Sequence, residues 1–275
     1  LIKMSIKFTN KDENFFKKNG YLIKKTNNLK SLNYLKEFIC KSLIDIKKKI
    51  NKKHLKNKQS LLENFHKNFN KNELNPTRLK IIEKINKDKN FDKEYYSASR
   101  EILDFLVGNE IAMQTKINLS IQIPNDKTSM LPMHSDIYAG ESPFEVVCWI
   151  PLVDVLPNSQ SMFITSPKNN KVINRAVNKS TDQTIIKIYE KHKKKFKFLK
   201  INFGEILVFS PIILHGNVVN KTNTTRVSLN CRFKSILSPF DVFSKTHRNI
   251  PHFFKPLTVK PLTKVGFNFI KKIND

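Results

Sequence analysis

An alternation of polar and apolar side chains shortly after Gly108 limits what this chain can fold into. In MQTKINLSIQI, residues 113–123, every second side chain is polar and most of those between are apolar. A period of two predicts a β-strand with one face against a core and the other face in polar surroundings. The polar set is Gln114, Lys116, Asn118, Ser120 and Gln122.

Further apolar runs downstream have the length and composition of strands. One predicted helix, at about residues 181–195, interrupts them. Short strands that are separated by turn signals favour a sandwich or jelly roll over alternating βαβ units. The predicted strands cover residues 144–152, 161–165, 204–210, 211–217 and 226–233.

The first hundred residues have helical periodicity instead. Residues 29–50 repeat apolar side chains at three- and four-residue spacing, which predicts one face of an amphipathic helix. A second helix is predicted to begin at Asn75-Pro76, with Asn as N-cap and Pro in the first turn. A third covers residues 95–107 and ends at Gly108, a residue suited to a left-handed cap. The second helix is expected to turn Leu79, Ile82 and Ile85 inward.

These patterns predict a mainly β protein with α-helices, organised in three parts. Residues 1–108 form a helical N-terminal region packed on the core, residues 109–250 form the jelly-roll core, and residues 251–275 form an irregular C-terminal tail. The sequence has no recognisable signal peptide and no apolar run that approaches the roughly 18–20 residues of a membrane span. Three scattered cysteines without CxxC spacing suit a reducing compartment, so we expect a cytoplasmic protein.

A formal net charge of +27 raises the question of a nucleic-acid partner. Only six of the 50 basic residues are Arg, which is the residue preferred for bidentate phosphate and base contacts. Residues 113–166 also contain more acidic than basic side chains. We therefore interpret the charge as a solvated lysine surface and expect no nucleic-acid partner, with a polyanion or membrane-surface role as the alternative.

The segment LPMHSD presents His134 and Asp136 two residues apart, at the end of a hydrophobic approach. A single HxD match is common by chance, and a lone histidine such as His215 is usually structural. An iron(II) site that must also bind a co-substrate and dioxygen needs few protein ligands, and two imidazoles with one carboxylate leave positions free. We predict that His134, Asp136 and His215 form such a site.

An Arg followed two residues later by a hydroxyl can grip a carboxylate by a charge-assisted fork and one hydrogen bond. RVSLNCR supplies Arg226 and Ser228 on one strand face, and we expect them to hold the distal carboxylate of 2-oxoglutarate. Lys116 and Asn118 are predicted to line the same pocket. Taken alone, Arg226 would read as a surface cation and the polar strand face as a solvated one.

With these motifs in order, HSD…H…R-x-S, the chain resembles the iron(II)/2-oxoglutarate-dependent dioxygenases, in the branch of phytanoyl-CoA-type hydroxylases. NLSIQIP, LPMHSD, GESPFEVVCWIPLVD and SMFI are more narrowly similar to oxygenases found sporadically in carbohydrate-biosynthesis clusters, the StrG-like group. The resemblance covers roughly residues 75–235. It implies a double-stranded β-helix and the cofactors Fe(II), 2-oxoglutarate and O2.

The resemblance also implies hydroxylation of a small-molecule substrate, with a sugar or nucleotide sugar expected. Epimerisation or desaturation stays open, as does the oligomeric state. The alternatives are a nucleic-acid demethylase of the same superfamily, for which Arg226 and Arg232 have the required spacing, and a non-catalytic cupin-like binding module. The predicted substrate-binding residues are Gln114, Gln122, Tyr138 and Glu141.

Overall fold

A computed structural model describes residues 8–47, 50, 57–157, 162–177, 182–239 and 253–274. These residues form two antiparallel β-sheets accompanied by helices, with more residues in helix than in strand. No helix in these ranges is long and apolar enough to cross a membrane. The helices are α1 (Asn10–Asn19), α2 (Leu29–Ile46), α3 (Lys58–Glu63), α4 (Phe65–Asn68), α5 (Lys71–Lys87), α6 (Phe91–Val107), α7 (Pro167–Val177), α8 (Asp182–His192) and α9 (Pro261–Asn274).

The larger sheet has the strand order β1-β7-β4-β9-β2-β10, and β3 pairs with β9 beside β2. The smaller sheet has the order β6-β5-β8. The strands are β1 (Tyr21–Lys25), β2 (Ile111–Gln114), β3 (Asn118–Gln122), β4 (Glu145–Pro151), β5 (Met162–Ile164), β6 (Lys197–Phe198), β7 (Glu205–Phe209), β8 (His215–Asn217), β9 (Arg226–Ser235) and β10 (Phe254–Thr258).

The predicted strand over residues 113–123 is in fact two strands, β2 and β3, that pair with different halves of β9. Met113 lies opposite Phe233, whereas Asn118 lies opposite Asn230, so the segment between them is longer than the stretch of β9 that it faces. The surplus residues leave the ladder as a bend that contains Lys116. The alternation predicted extended backbone correctly but could not reveal this interruption.

The predicted start of the second helix was wrong. Helix α5 begins at Lys71, because Asn70 and Glu73 form a reciprocal capping box that satisfies the first free N–H groups of the helix. Pro76 therefore lies inside the helix, where its ring removes one backbone donor near the N-terminus. Of the three residues predicted to turn inward, Ile85 is fully buried, whereas Leu79 is 51% exposed and Ile82 is only partly buried. The side chains that α5 buries are Leu74, Thr77, Ile81 and Ile85.

The other helical predictions hold with shifted ends. Helix α2 buries the predicted face and ends at Ile46, and α6 extends the third helix back to Phe91. Gly108 follows α6 with φ 102° and ψ −171°, a glycine-favoured conformation but not the left-handed helical cap that was predicted. The helix near residues 181–195 is α8, with a short 3-10 turn after it.

Both flanks of the predicted core add a strand to the larger sheet. β1 pairs with β7, and β10 pairs with β2, so the C-terminal tail is not irregular: it forms β10 and α9. Residues 251–252, where the tail was expected to begin, lie outside the described residues. Helix α7 and strand β6 were not predicted, and the run over residues 211–217 becomes a strand only at β8.

The larger sheet is buried on both faces, which explains why β4 is apolar throughout. Val146, Cys148 and Ile150 join the core that contains the packed faces of α2, α5 and α6. Val147 and Trp149 point the other way and join a second cluster with Met162 and Ile164 of the smaller sheet, and with Phe209. The space between the two sheets is the side on which the polar residues of β9 converge.

The corrected face of α5 can be tested by two substitutions. We expect Ile81→Ala to lower the free energy of unfolding by about 2–5 kcal/mol, because Ile81 is fully buried. Leu79→Ala should change it by less than about 0.5 kcal/mol, since this side chain is half exposed. Urea denaturation measures both, and the reverse order of effects would contradict the assigned face.

Candidate metal centre and its cavity

Three predicted ligands converge at one end of the space between the sheets. Oδ1 of Asp136 lies 3.4 Å from Nε2 of His134 and 3.8 Å from Nε2 of His215. One potential ligand atom from each residue lies within 4.8 Å of the other two. Two atoms that each bind one first-row metal ion at about 2.1 Å lie at most about 4.2 Å apart, and both Asp136 distances satisfy this limit.

Both imidazoles are oriented for coordination. Nδ1 of His134 lies 2.8 Å from the carbonyl oxygen of Pro132, and Nδ1 of His215 lies 3.0 Å from that of Ile213. A carbonyl only accepts, so each Nδ1 carries the proton and each Nε2 presents its lone pair towards Asp136. An outer hydrogen bond of this kind is the usual device that orients a ligating histidine.

The backbone brings these residues together. His134 and His215 exchange two N–H···O bonds of 2.9 Å in an isolated antiparallel bridge, which joins the HxD loop to the start of β8. Ser135 Oγ donates towards the carbonyl oxygens of Pro211 and Ile212. Asp136 then begins a short 3-10 helix, Asp136–Ala139. The HxD segment is therefore tied to the segment that precedes His215 on both sides of the aspartate.

The charge state of the cluster suits a cation. Burial disfavours ionisation of Asp136, but His134, His215 and Arg232 beside it hold the pKa of this carboxyl below its ordinary value. Burial lowers the pKa of His215 to about 4, and His134 beside it acts in the same direction. The set is thus one carboxylate and a neutral buried imidazole at neutral pH, with His134 partly exposed.

Arg232 is the residue at this centre to which sequence reasoning gave no role in the metal site. Its Nη2 lies 3.1 Å from Oδ2 of Asp136, the carboxylate oxygen that does not face the histidines. Its Nε lies 3.3 Å from Oε1 of Glu141 and 3.5 Å from Oε1 of Glu145. Its even spacing from Arg226 along one strand was the available signal.

Glu141 and Glu145 are almost fully buried beside Arg232. Burial raises the pKa of Glu145 to about 7, against the opposing influence of Arg232 and Lys234. The backbone N–H of Arg232 also donates to Oε1 of Gln114 at 3.3 Å. Arg232 is consequently surrounded by acceptors, and its guanidinium links the aspartate ligand to the interior of the sheet.

The three candidate ligands lie at a cavity of about 730 Å³, within the range of roughly 300–1,000 Å³ typical of small-molecule sites. Its lining includes Asn118, Arg226, Trp149 and Arg232. Nη2 of Arg226 donates to Ser120 Oγ at 3.3 Å, and its guanidinium carbon lies 5.9 Å from the ring centre of Trp149. Burial lowers the pKa of Arg226 to about 10. Further polar lining comes from Asn75, Thr128, Ser129, Asn217 and Asn230.

Ser228 is fully buried two residues after Arg226, and opposite Ser120 in the ladder. Its Oγ has no hydrogen-bond partner among the residues that the structure describes. Ser228 is not among the residues that line the cavity. Its position on the Arg226 face nevertheless places an unused hydroxyl close to that side chain.

Lys116 and the four predicted substrate residues do not line the cavity. Lys116 is exposed in the bend between β2 and β3. Gln114 accepts from Arg232, and the amide of Gln122 donates to the carbonyl of Val218 at 2.6 Å, so both serve inside the protein. Glu141 faces Arg232, and Tyr138 is 47% exposed outside the cavity.

No family model and no curated protein matches this sequence. Among solved structures, EctD from S. alaskensis with 2-oxoglutarate and 5-hydroxyectoine is similar at 12% identity and a TM-score of 0.55, over 83% of this chain and 77% of that one. HygX from Streptomyces hygroscopicus with nickel and 2-oxoglutarate is similar at 10% identity and a TM-score of 0.52, over 84% and 88%. At such identities, the likeness shows a shared fold.

Replacing Asp136 by Ala should abolish metal binding and leave the fold intact. Oδ1 of Asp136 lies beside both imidazoles, and two imidazoles without a carboxylate bind a metal ion weakly. Calorimetric titration with Mn²⁺ measures the affinity, and the exposed Asp45→Ala is the matched control. A variant that binds Mn²⁺ as tightly as the parent chain would rule out this cluster as the metal site.

Arg232→Gln should weaken Mn²⁺ binding about 10- to 100-fold, the usual range for loss of an outer partner of a ligand. The change releases Oδ2 of Asp136 and removes a cation that lies beside Glu141 and Glu145. Arg232→Lys keeps the charge and should retain part of the affinity. Unchanged affinity in a folded Arg232→Gln, compared with the exposed Arg100→Gln, would show that Arg232 has no part in the metal centre.

Proposed function

We propose that the protein is a non-haem iron(II)- and 2-oxoglutarate-dependent dioxygenase that oxidises a small molecule. The observation that carries this proposal is the placement of the His134-Asp136-His215 cluster and Arg226 on the walls of one cavity. Two imidazoles with one carboxylate leave open coordination positions, as such chemistry requires. The fold shared with EctD and HygX, whose structures contain iron or nickel and 2-oxoglutarate, supports the same reading. We further propose that the two facing sheets are a double-stranded β-helix.

In this proposal the bound iron, 2-oxoglutarate and O2 supply the oxidising power, and the protein supplies position and exclusion of water. His134, Asp136 and His215 would hold the metal. Arg226 binds the distal carboxylate of 2-oxoglutarate through its planar fork, because it is the buried cation at the cavity wall that is not paired with Asp136.

Ser228 and Asn118 are proposed to assist Arg226. The Ser228 hydroxyl is buried on the same strand face and has no partner among the described residues, so a carboxylate oxygen would satisfy it. Asn118 offers an amide from the opposite strand. Lys116 is not proposed for this role, because its side chain is exposed in the bend between β2 and β3.

The proposed reaction is hydroxylation of a sugar, nucleotide sugar or related metabolite. Amides and hydroxyls make up much of the cavity wall, and a polyhydroxy compound needs such donors and acceptors. The contacts to the substrate are then expected from Asn75, Ser129, Asn217 and Asn230, in place of the four residues predicted from the sequence. Trp149 supplies a flat apolar surface within the same cavity.

Arg226→Lys should weaken 2-oxoglutarate binding at least tenfold while Mn²⁺ affinity stays unchanged. Lysine keeps the charge but loses the bidentate fork, and one such bond to a charged group contributes about 1.5–3 kcal/mol. Calorimetric titration of 2-oxoglutarate into the Mn²⁺-loaded protein measures this effect. Equal affinity in the variant would show that another residue holds the carboxylate.

Candidate sugars and nucleotide sugars should raise the rate of succinate formation by the iron-loaded protein above the uncoupled background. Asp136→Ala provides the inactive control, since it lacks the metal ligand. Methylated oligonucleotides should give no such stimulation at physiological salt, because the lysine surface offers only salt-sensitive contacts. Stimulation by the oligonucleotides and by none of the sugars would replace the carbohydrate proposal with the demethylase alternative.

A further inference from the structure

Arginine is scarce in this chain, yet it is concentrated at the cavity. Among the residues that the structure describes, Arg78, Arg226 and Arg232 line it, together with one lysine, Lys71, although the whole sequence contains six arginines among its 50 basic residues. Among the described residues, the acidic side chain in the lining is Asp136, which is one of the three candidate metal ligands. The cavity therefore carries more positive charge than its own carboxylate can neutralise.

Two of the three arginines already have anionic partners assigned. Arg232 pairs with Asp136, Glu141 and Glu145. Arg226 is assigned to 2-oxoglutarate in the proposed function. Arg78 is not paired with a carboxylate in the described structure, although its side chain is half-buried and reaches the same cavity.

Arg78 is held in place by neutral acceptors. Its Nε and Nη2 donate to Oδ1 of Asn75 at 3.1 and 2.9 Å, and its Nη1 donates to the carbonyl oxygen of Leu119 at 3.3 Å. Such contacts orient a guanidinium without cancelling its charge. They also reduce the conformational freedom that would be lost when an anion binds.

Helix α5 supplies this part of the wall. Lys71, Leu74, Asn75 and Arg78 recur at three- and four-residue spacing, so one face of the helix lies over the cavity. This face of α5 thus brings two cations and an amide to the cavity. No other α-helix contributes a residue to the cavity lining in the ranges that the structure describes.

We propose that Arg78, assisted by Lys71, binds an anionic group of the primary substrate, a phosphate or a carboxylate, at a subsite separate from that of 2-oxoglutarate. This inference rests on the proposed function and narrows its substrate to an acidic or phosphorylated compound. A guanidinium fork recognises both groups by paired N–H···O bonds, whereas a neutral sugar offers it no charge. Arg78 is then a specificity-determining residue.

The chain contains its own reporter for occupancy of the cavity. Trp149 is the single tryptophan, and it lines the cavity beside Arg226. The experiment titrates glucose 1-phosphate, glucuronate and glucose into the Zn²⁺-loaded protein saturated with 2-oxoglutarate, and follows tryptophan fluorescence. Zn²⁺ prevents turnover, and saturation with 2-oxoglutarate occupies Arg226. Anions that bind only to surface lysines lie away from Trp149.

At least one of the two anionic sugars should bind about tenfold or more tightly than glucose, which corresponds to roughly 1.4 kcal/mol. A preference for glucose 1-phosphate identifies the group as a phosphate, and a preference for glucuronate identifies a carboxylate. Arg78→Gln should remove the preference for the anion, and Arg78→Lys should retain part of it. Arg100→Gln and the exposed Lys80→Gln are the matched controls and should keep the full preference.

The ratio of the dissociation constants for neutral and anionic sugar distinguishes recognition of the anion by Arg78 from a purely structural role of this residue. If Arg78 only ties α5 to Leu119, Arg78→Gln lowers the melting temperature and leaves the ratio of the two dissociation constants unchanged, which overturns the inference. Equal binding of charged and neutral sugars by the parent protein overturns it as well. Zn²⁺ and 2-oxoglutarate affinities, measured in the same samples, report separately on the proposed function, so its failure is distinguishable.

Discussion

The pairing of β9 with three neighbouring strands is the constraint on which the site depends. β9 lies against β4 along one edge and against β2 and β3 along the other, so its side chains can point only to the two faces of the sheet. The odd positions, such as Leu229, enter the core under the helices. The even positions from Arg226 to Arg232 face the space between the sheets. One strand thereby delivers both arginines to the cavity at a defined separation.

The buried carboxylate of Asp136 is the electrostatic centre of this arrangement. Its two oxygens have different partners: Oδ1 faces the imidazoles and Oδ2 faces Arg232. Burial of an isolated carboxylate is costly, and the surrounding donors offset that cost. The same division leaves one oxygen available to a metal ion while the other is held by the sheet. Through Arg232, the three candidate metal ligands and the glutamates Glu141 and Glu145 consequently form one network.

Much of this structure could be predicted from local sequence patterns, and each wrong prediction has a physical cause. The HxD spacing and the later histidine identified residues that converge through the bridge between His134 and His215. The R-x-S motif identified two residues on one strand face, because that placement depends on the strand period. The start of α5 was missed because the capping box at Asn70 outweighs the Pro76 signal. The positions predicted for Lys116, Gln114 and Gln122 were wrong because a break in the ladder and hydrogen bonds to residues distant in sequence decide where these side chains point. The contribution of Arg78 depends on how α5 packs on β3, which no local pattern encodes.

The most direct test of the central claim is the visible absorption of the protein under anaerobic conditions, with Fe(II) and 2-oxoglutarate added in turn. Chelation of Fe(II) by the keto acid gives a charge-transfer band that neither component shows alone. We predict that this band forms in the parent protein with one equivalent of each, and that Asp136→Ala does not form it. A parent protein that binds Fe(II) without developing the band on addition of 2-oxoglutarate would contradict the assignment of the cavity to an oxygenase centre.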